Sequence, residues 1–505
     1  MSDRLQRLWN AQAAPLSGAP QLEVEEFRAA VLAAPQRDRR VCALFGAPHA
    51  AGVALHLVLA SDEEGVLEYG WTVVGDAYAA LTPDCPEVHL FEREIAEQWG
   101  LVPEGHPWLK PVRFHRSYRP GHDAWGRAPD AAIGVGETRF FAVEGEEIHE
   151  VAVGPVHAGV IEPGHFRFQC HGEQVFHLEI SLGYQHRGVE RRLVGVHDKR
   201  AIHYAETLAG DTTIGHATAY CHVLEALAAV RPTPRAHALR AIALELERLA
   251  NHTGDLGALA GDVGFLPTAA YCGRLRGDFL NMTALLCGNR FGRGLVRPGG
   301  VGFDVERERI EELLRRLDAA ERDVTEAVGL LWNSASVTAR FEDTGRVSEE
   351  TARQLGLVGP AARASGLRRD VRKMHPAGMF QVVHIPLSTT DTGDVYARAY
   401  VRWLEIERSI DYVRTQLQEL PRGERRRACA AARPEMIAVS LVEGWRGEIC
   451  HVALTDRAGA FSAYKIVDPS FHNWMGLAMA LRDQQISDFP LCNKSFNLSY
   501  CGHDL

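Results

Sequence analysis

The sequence predicts an α+β protein: a small N-terminal α/β-sandwich-like domain, then a large domain with a long-helix bundle at its core and β elements at its start and end. Three observations carry this. Residues 41–59 alternate and are rich in Val, Leu and Ala, as paired strands are. Residues 235–259, 275–290, 307–332 and 393–420 hold apolar residues at helical spacing over many turns, which fits a bundle. Short strand-like runs flank those helices, at 165–169 and 175–182 before them and from Met436 onward after them.

Composition bounds the function. Of 505 residues, 46% are hydrophobic and 24% charged, the balance of a globular chain with room for more than one core. A formal charge of −10 leaves no basic footprint, so nucleic acid is excluded as a partner. No apolar run reaches membrane-spanning length. The opening MSDRLQRLWN has no signal-peptide h-region, which predicts a cytoplasmic chain that reaches a membrane only through partners. The 10 cysteines include no C-x-x-C pair and are read as small buried hydrophobes rather than a disulfide framework.

In order, residues 1–125 form the first domain. Residues 91–100, FEREIAEQWG, predict a short amphipathic helix closed by a glycine C-cap. His106-Pro107 reads as a turn. Residues 126–150 predict a linker, rich in Gly, Ala and Pro and ending in an acidic run. Residues 151–505 form the large domain. Its first stretch, 154–190, sets ionisable residues on short strands between Gly-Pro and Pro-Gly turns. Pro421 stops the last long helix, and strands at 437–444, 448–456 and 463–470 lead to a closing helix and tail.

Several of these segments resemble a known family. GPVHAGVIEPGHFRF at 154–168, followed by LGYQHRGVE at 182–190, is similar to the start of the large subunit of group 4 membrane-bound nickel–iron hydrogenases of the formate-hydrogenlyase type, and to the 49 kDa subunit of respiratory complex I. The likeness continues through RAHALRAIALELERLANH, DVGF, GNRF, RPGGV and RASGLRRD. FEREIAEQWGLVPEGHPWLKP at 91–111 resembles the 30 kDa subunit of complex I, here fused ahead of the large subunit.

The resemblance implies where a nickel–iron centre is held: four cysteines in two C-x-x-C pairs. Where the family has C-G-x-C-x-x-x-H-x-x-A-Y, residues 209–220 read AGDTTIGHATAY, so Ala209 and Thr212 stand at the cysteine positions. Where it has D-P-C-x-x-C-T, residues 497–503 read NLSYCGH, so Ser499 and Gly502 do. Alanine and glycine bring no donor, and neutral hydroxyls are poor ligands for soft nickel. No metal site and no nickel–iron centre are therefore expected, and Cys221, Cys492 and Cys501 are the only thiols near these segments.

The same resemblance assigns the remaining roles. Glu162 falls at the glutamate that first accepts a proton from the metal thiolate, and Arg446 at an arginine pointing into the cavity, with Trp445 where the family has proline. Asp211 adds a carboxylate near a helix N-terminus, where the helix dipole favours charge. In the complex I pattern a quinone is held by a histidine and a tyrosine. Pro163 takes the histidine's place, with His165 two residues on, and Tyr204 lies near the tyrosine position. Glu162, Arg446, His165 and Asp211 are the expected catalytic set; Tyr204 and His216 are expected to line an acceptor cavity. His157, His186 and Arg187 are expected to face an iron–sulfur subunit.

The implied cofactors are iron–sulfur clusters in partner subunits, with quinone as acceptor and none bound by this chain itself. The implied partners are an iron–sulfur small subunit of the complex I 20 kDa type, a ferredoxin-like subunit and integral-membrane ion-translocating subunits, on the cytoplasmic side of the membrane. The chain has no G-x-G-x-x-G after a strand, so NADH as a donor binds elsewhere. Two further readings stand beside this one: a non-catalytic scaffold of such a complex, and a formate-hydrogenlyase-type hydrogenase with atypical ligands.

Overall fold

In the computed structural model the described residues are 4–159, 161–195 and 199–505. The alternating stretch near the N-terminus folds as two antiparallel strands, Arg39–His49 and Gly52–Ser61, with His49 opposite Gly52. Val66–Val74 and Gln6–Leu8 extend them into one antiparallel sheet. Helix His89–Trp99 packs on it and ends at Gly100, whose left-handed φ of 66° closes the helix as the sequence predicts.

The two central strands are buried along most of their length without alternation, so both faces of the sheet are covered. The second cover is the C-terminal sheet of the large domain. Leu44, Phe45 and Leu57 share a core with Ile437, Val439 and Val452. The seam is closer still. Strand Gln12–Pro15 leaves the N-terminal sheet and pairs antiparallel with Met436–Gly444, placing Ala13 opposite Ala438. The Asn10 amide donates to the carbonyls of His375 and Leu441 at 2.6 and 2.9 Å and accepts from the Leu441 amide at 2.7 Å. The two predicted domains thus share a sheet and a core.

The large domain opens with a three-stranded antiparallel sheet in the order Gln174–Ser181, His165–His171, Ile148–Val153. The last of these strands begins at Ile148, within the last three residues of the expected linker. Of the acidic run only Glu150 lies on this edge strand, where one side of the ladder faces outward; Glu144, Glu146 and Glu147 precede it.

The bundle consists of helices Thr213–Leu227, Pro234–Asp262, Leu266–Cys287, Arg307–Trp332 and Val395–Gln418. Their ends follow local chemistry. Thr233 caps the second by accepting from the Ala236 amide at 3.1 Å, with Pro234 in the first turn. Asp394 caps the last through Ala397 at 2.8 Å. The RPGGV segment is a tight hairpin whose Gly299, at φ 85°, passes so close to Arg427 that a Cβ would lie 2.1 Å from its carbonyl oxygen. Its amide donates to Glu225, which also takes the guanidinium of Arg240. Among the described residues no helix is long and apolar enough to cross a membrane. The fold is α+β, with a sheet-rich N-terminal region and a helical core.

Candidate functional site

Three segments meet where the resemblance places the site. One is the loop 209–212 before helix Thr213–Leu227. The second is the turn Trp445-Arg446, which joins strands Met436–Gly444 and Gly447–Thr455 with Gly444 opposite Gly447. The third is 497–502, near the C-terminal end. Strand pairing fixes the turn, and a buried charge network fixes it from behind. Arg248 donates to the carbonyls of Glu443 and Gly444 at 2.6 and 3.0 Å.

At the centre, the Arg446 guanidinium grips both oxygens of Asp211, at 2.6 and 2.8 Å. Its Nε donates to the Asn497 carbonyl at 2.5 Å, and its plane lies 3.9 Å from the centre of the Trp445 ring. The indole N–H donates to the Asp211 carbonyl and to Thr212 Oγ1, each at 3.1 Å. Burial pushes the Asp211 carboxyl upward, but Arg446 outweighs it and holds the group below the usual carboxylate range. Asp255 lies behind, held by Arg402 at 2.8 Å and by Asn497 at 2.5 Å, and burial raises its carboxyl.

The four family ligand positions are all buried, and their side chains are otherwise engaged or missing. Thr212 Oγ1 belongs to the Trp445–Arg446–Asp211 cluster. Ser499 Oγ accepts from the Gly502 amide at 2.9 Å, capping the last short helix. A Cβ on Gly502 would lie 2.5 Å from Asp468 Oδ2. Among the described residues no group of three or more His, Cys, Asp or Glu is placed to hold a metal ion. This donor set does not fit a nickel–iron centre, which needs soft thiolates. Cys221 and Cys492 are fully buried, one beside Arg240 and the other beside Arg398. Cys501 alone is at the site. Burial and a hydrogen bond to the Glu162 carboxylate push its thiol up to about 11.

Glu162 is thus brought to Cys501, and Arg446 to Asp211. His216 is joined to neither pair: it is fully buried between Asp468, at 3.0 Å, and His451, at 3.2 Å. His165 bonds the Gly154 carbonyl at 3.1 Å and Arg167 at 3.1 Å, and packs on Phe140, all in the first sheet and its approach. Tyr204 is half-buried on helix Ala201–Ala205, with Arg192 at 3.4 Å from its hydroxyl. His157, His186 and Arg187 make bonds within the chain, Arg187 to the carbonyls of Thr207, Leu208 and Cys501. Sequence reasoning missed Asp468, His451 and Tyr464. Asp468 carried one usable signal, an Asp-Pro at a helix start; the two others sit in apolar strands with none.

The three segments bring a carboxylate, a guanidinium and hydroxyls together where the resemblance expects metal ligands. The family model for "Respiratory-chain NADH dehydrogenase, 49 Kd subunit" matches residues 262–435. A carbon monoxide-induced hydrogenase of Rhodospirillum rubrum is 30% identical over 350 residues, 69% of this chain and 97% of that protein. Formate hydrogenlyase subunit 5 of Escherichia coli is 28% identical over 84% of this chain and 76% of its own. NADH-quinone oxidoreductase subunit 4 of Thermus thermophilus is 27% identical over 68% and 90%. The chain belongs to the family of group 4 hydrogenase large subunits and complex I 49 kDa-type subunits.

Proposed function

We propose that this chain is the large subunit of a membrane-associated, multisubunit redox complex and that it works without a nickel–iron centre. It receives electrons from iron–sulfur clusters of a small partner subunit and couples their passage to an acceptor, with quinone as the class, and to ion movement by membrane partners. The observation that carries this reading is the joint change at the ligand positions: Ala209, Thr212, Ser499 and Gly502 replace every thiolate, while charged groups gather around them. Quinone, the ferredoxin-like subunit and attachment at the cytoplasmic face are inferences from the family.

The chemistry follows from the residues present. Arg446, a buried cation, stabilises negative charge building on an acceptor as electrons arrive. Glu162, beside the Cys501 thiol, is placed to hand over or take up a proton. His165 and Tyr204 lack these contacts, so we assign acceptor binding to the Asp211–Arg446 face. Metal analysis of the complex isolated gently from its native membrane tests the reading. Iron without nickel is expected; stoichiometric nickel overturns it and revives the hydrogenase with atypical ligands.

A specific observation also favours the scaffold reading. Arg446 is fully engaged by Asp211, Asn497 and Thr212, and Asp468 fills the space beside Gly502. Replacing Glu162 by Gln and Arg446 by Gln separates the two. Loss of electron transfer by roughly 100-fold or more is expected of a working proton donor and charge stabiliser. Unchanged turnover in an assembled complex supports the scaffold.

A further inference from the structure

Four polar side chains stand in line inside the large domain. Asp468 Oδ2 lies 3.0 Å from His216 Nε2. His216 Nδ1 lies 3.2 Å from His451 Nε2. His451 Nδ1 lies 2.9 Å from the Tyr464 hydroxyl. Both imidazoles are fully buried, and Asp468 and Tyr464 are nearly so. They come from separate elements: the helix after the ligand loop, the strand Gly447–Thr455, the edge strand Phe461–Val467, and the cap of helix Pro469–Ala480.

The bonding order is dictated by the groups. Burial drives the Asp468 carboxyl up, but the His216 bond outweighs it and holds the group ionised, so it accepts from His216 Nε2–H. In the neutral form of His216, its Nδ1 accepts from His451 Nε2–H. Burial keeps His451 neutral, so with its Nε2 hydrogen given to His216 its Nδ1 accepts from the tyrosine O–H. Every donor in the line therefore points from Tyr464 toward Asp468.

The two ends face different places. At the inner end Asp468 Oδ2, which holds His216, lies against Gly502, where a Cβ would come within 2.5 Å of it, and the charges of Arg446 and Asp211 reach the carboxylate through space. At the outer end Tyr464 borders a groove of about 340 Å³ between the large domain and the N-terminal sheet, lined also by Phe45, Pro48, Trp99, Tyr118 and Arg191. Tyr220, Cys221 and Cys450 flank the phenol.

We propose that Tyr464, His451, His216 and Asp468 form a proton conduit between that groove and the site. Tyr464 gives its proton to His451 Nδ1 and regains one from groove water. His451 passes its Nε2 proton to His216 Nδ1, and His216 passes its own to Asp468. One proton enters at the phenol and one arrives on the carboxyl; no other bond changes and no electron moves along the line. Both rings then hold hydrogen on Nδ1, so they must turn, or the proton return, before the next passage. The conduit goes beyond the redox reading, which sets only when protons are drawn, not how they arrive.

Hydrogen–deuterium exchange at the histidine rings tests it without turnover. The intact complex, carrying ring-labelled histidine, is moved into D₂O and followed by infrared spectroscopy, with Tyr464→Phe beside it. Phenylalanine keeps the ring and removes only the hydroxyl. The expected result is a ring N–H phase faster than the buried amides of strand Gly447–Thr455, lost in Tyr464→Phe. Rings that exchange together with those amides, unaltered by the substitution, overturn the proposal, because purely structural bonds open only by local unfolding. Should that variant fail to assemble, His451→Gln serves, since an amide holds a hydrogen bond but relays no proton. Absent electron transfer with a fast ring phase sinks the redox reading and leaves the conduit standing.

Discussion

The charge network behind the Trp445-Arg446 turn and the ligand shell in front of it are built from similar residues under opposite conditions. Behind, Glu245, Asp370, Glu405 and Glu443 interlock with Arg248, Arg363 and Arg372, and every one is almost fully buried. Glu405 alone takes Arg363 at 2.5 Å and His252 at 2.7 Å. In front, the Asp211 side chain keeps 32% of its exposure. The network fixes shape and has no slack; the shell carries Ala209, Thr212, Ser499 and Gly502 where the resemblance expects cysteines. The backbone here is thus held by charges that do not come from those four positions, which leaves them free to change.

That contrast is broken most forcefully from behind. Arg363→Met removes the cation shared by Glu405 and Glu443 and leaves buried carboxylates short of a partner. A loss of about 3–5 kcal/mol is expected, read as a large drop in unfolding temperature or as failure to assemble. A variant as stable as the parent would refute the division drawn above.

Glu247 joins the two regions, since its carboxyl accepts from the amides of Ile214 and Gly215 at 2.7 and 3.2 Å, at the start of the helix after the ligand loop. Burial pushes it up to about 8, against those two donors. A raised folded value makes its contribution complete below the unfolded value near 4.3 and lost as pH rises through 8. Glu247→Gln keeps the acceptor and does not titrate. Its stability relative to the parent should therefore climb by about 5 kcal/mol between acid and mildly alkaline pH. Parallel pH–stability curves for the two proteins contradict this.

Gly502→Ala probes the shell itself. The added methyl meets Asp468 Oδ2 at 2.5 Å and Ser499 Oγ at 2.9 Å, both held by their own bonds. A cost of about 2 kcal/mol is expected, and shortening Asp468 to Ser in the same chain should recover part of it. Equal costs with and without the second change would show that Asp468 is not what blocks the position. The same clash means that placing cysteine at 502 does not by itself restore a ligand.

Much of the fold was legible because its signals are local. Helix Arg307–Trp332 has the ends its apolar stripe predicts, and Gly100 and Asp394 mark their caps. Helix Leu266–Cys287 begins nine residues before the predicted 275, because Leu266-Pro267 starts it without an apolar stripe. Strand Gln12–Pro15 left no trace: QAAP has no alternation, and its partner lies more than 400 residues away. The site divides the same way. Asp211 and Arg446 were found through aligned motifs, and the structure joins them. The histidine at 451 and the tyrosine at 464 acquire meaning only from neighbours far along the chain. His165 was chosen by nearness in sequence. On the strand His165–His171 it is directed to Gly154, Arg167 and Phe140.

The smallest effect should come from Asp211→Asn, which takes away charge and little else. The amide keeps the shape and one acceptor for Arg446, and water on the open side already weakens the pair, so a loss of about 1 kcal/mol is expected at neutral pH. Its pH dependence is the sharper measurement. Arg446 holds the folded Asp211 value below the unfolded one near 3.9, so the carboxylate's contribution is present above that pH and fades as pH falls through the folded value. Parent and variant should converge on acidification, the reverse of the Glu247 trend. A gap that widens in acid would mean that Asp211 is carried by burial rather than by Arg446, and that the shell, like the network behind it, has no open side.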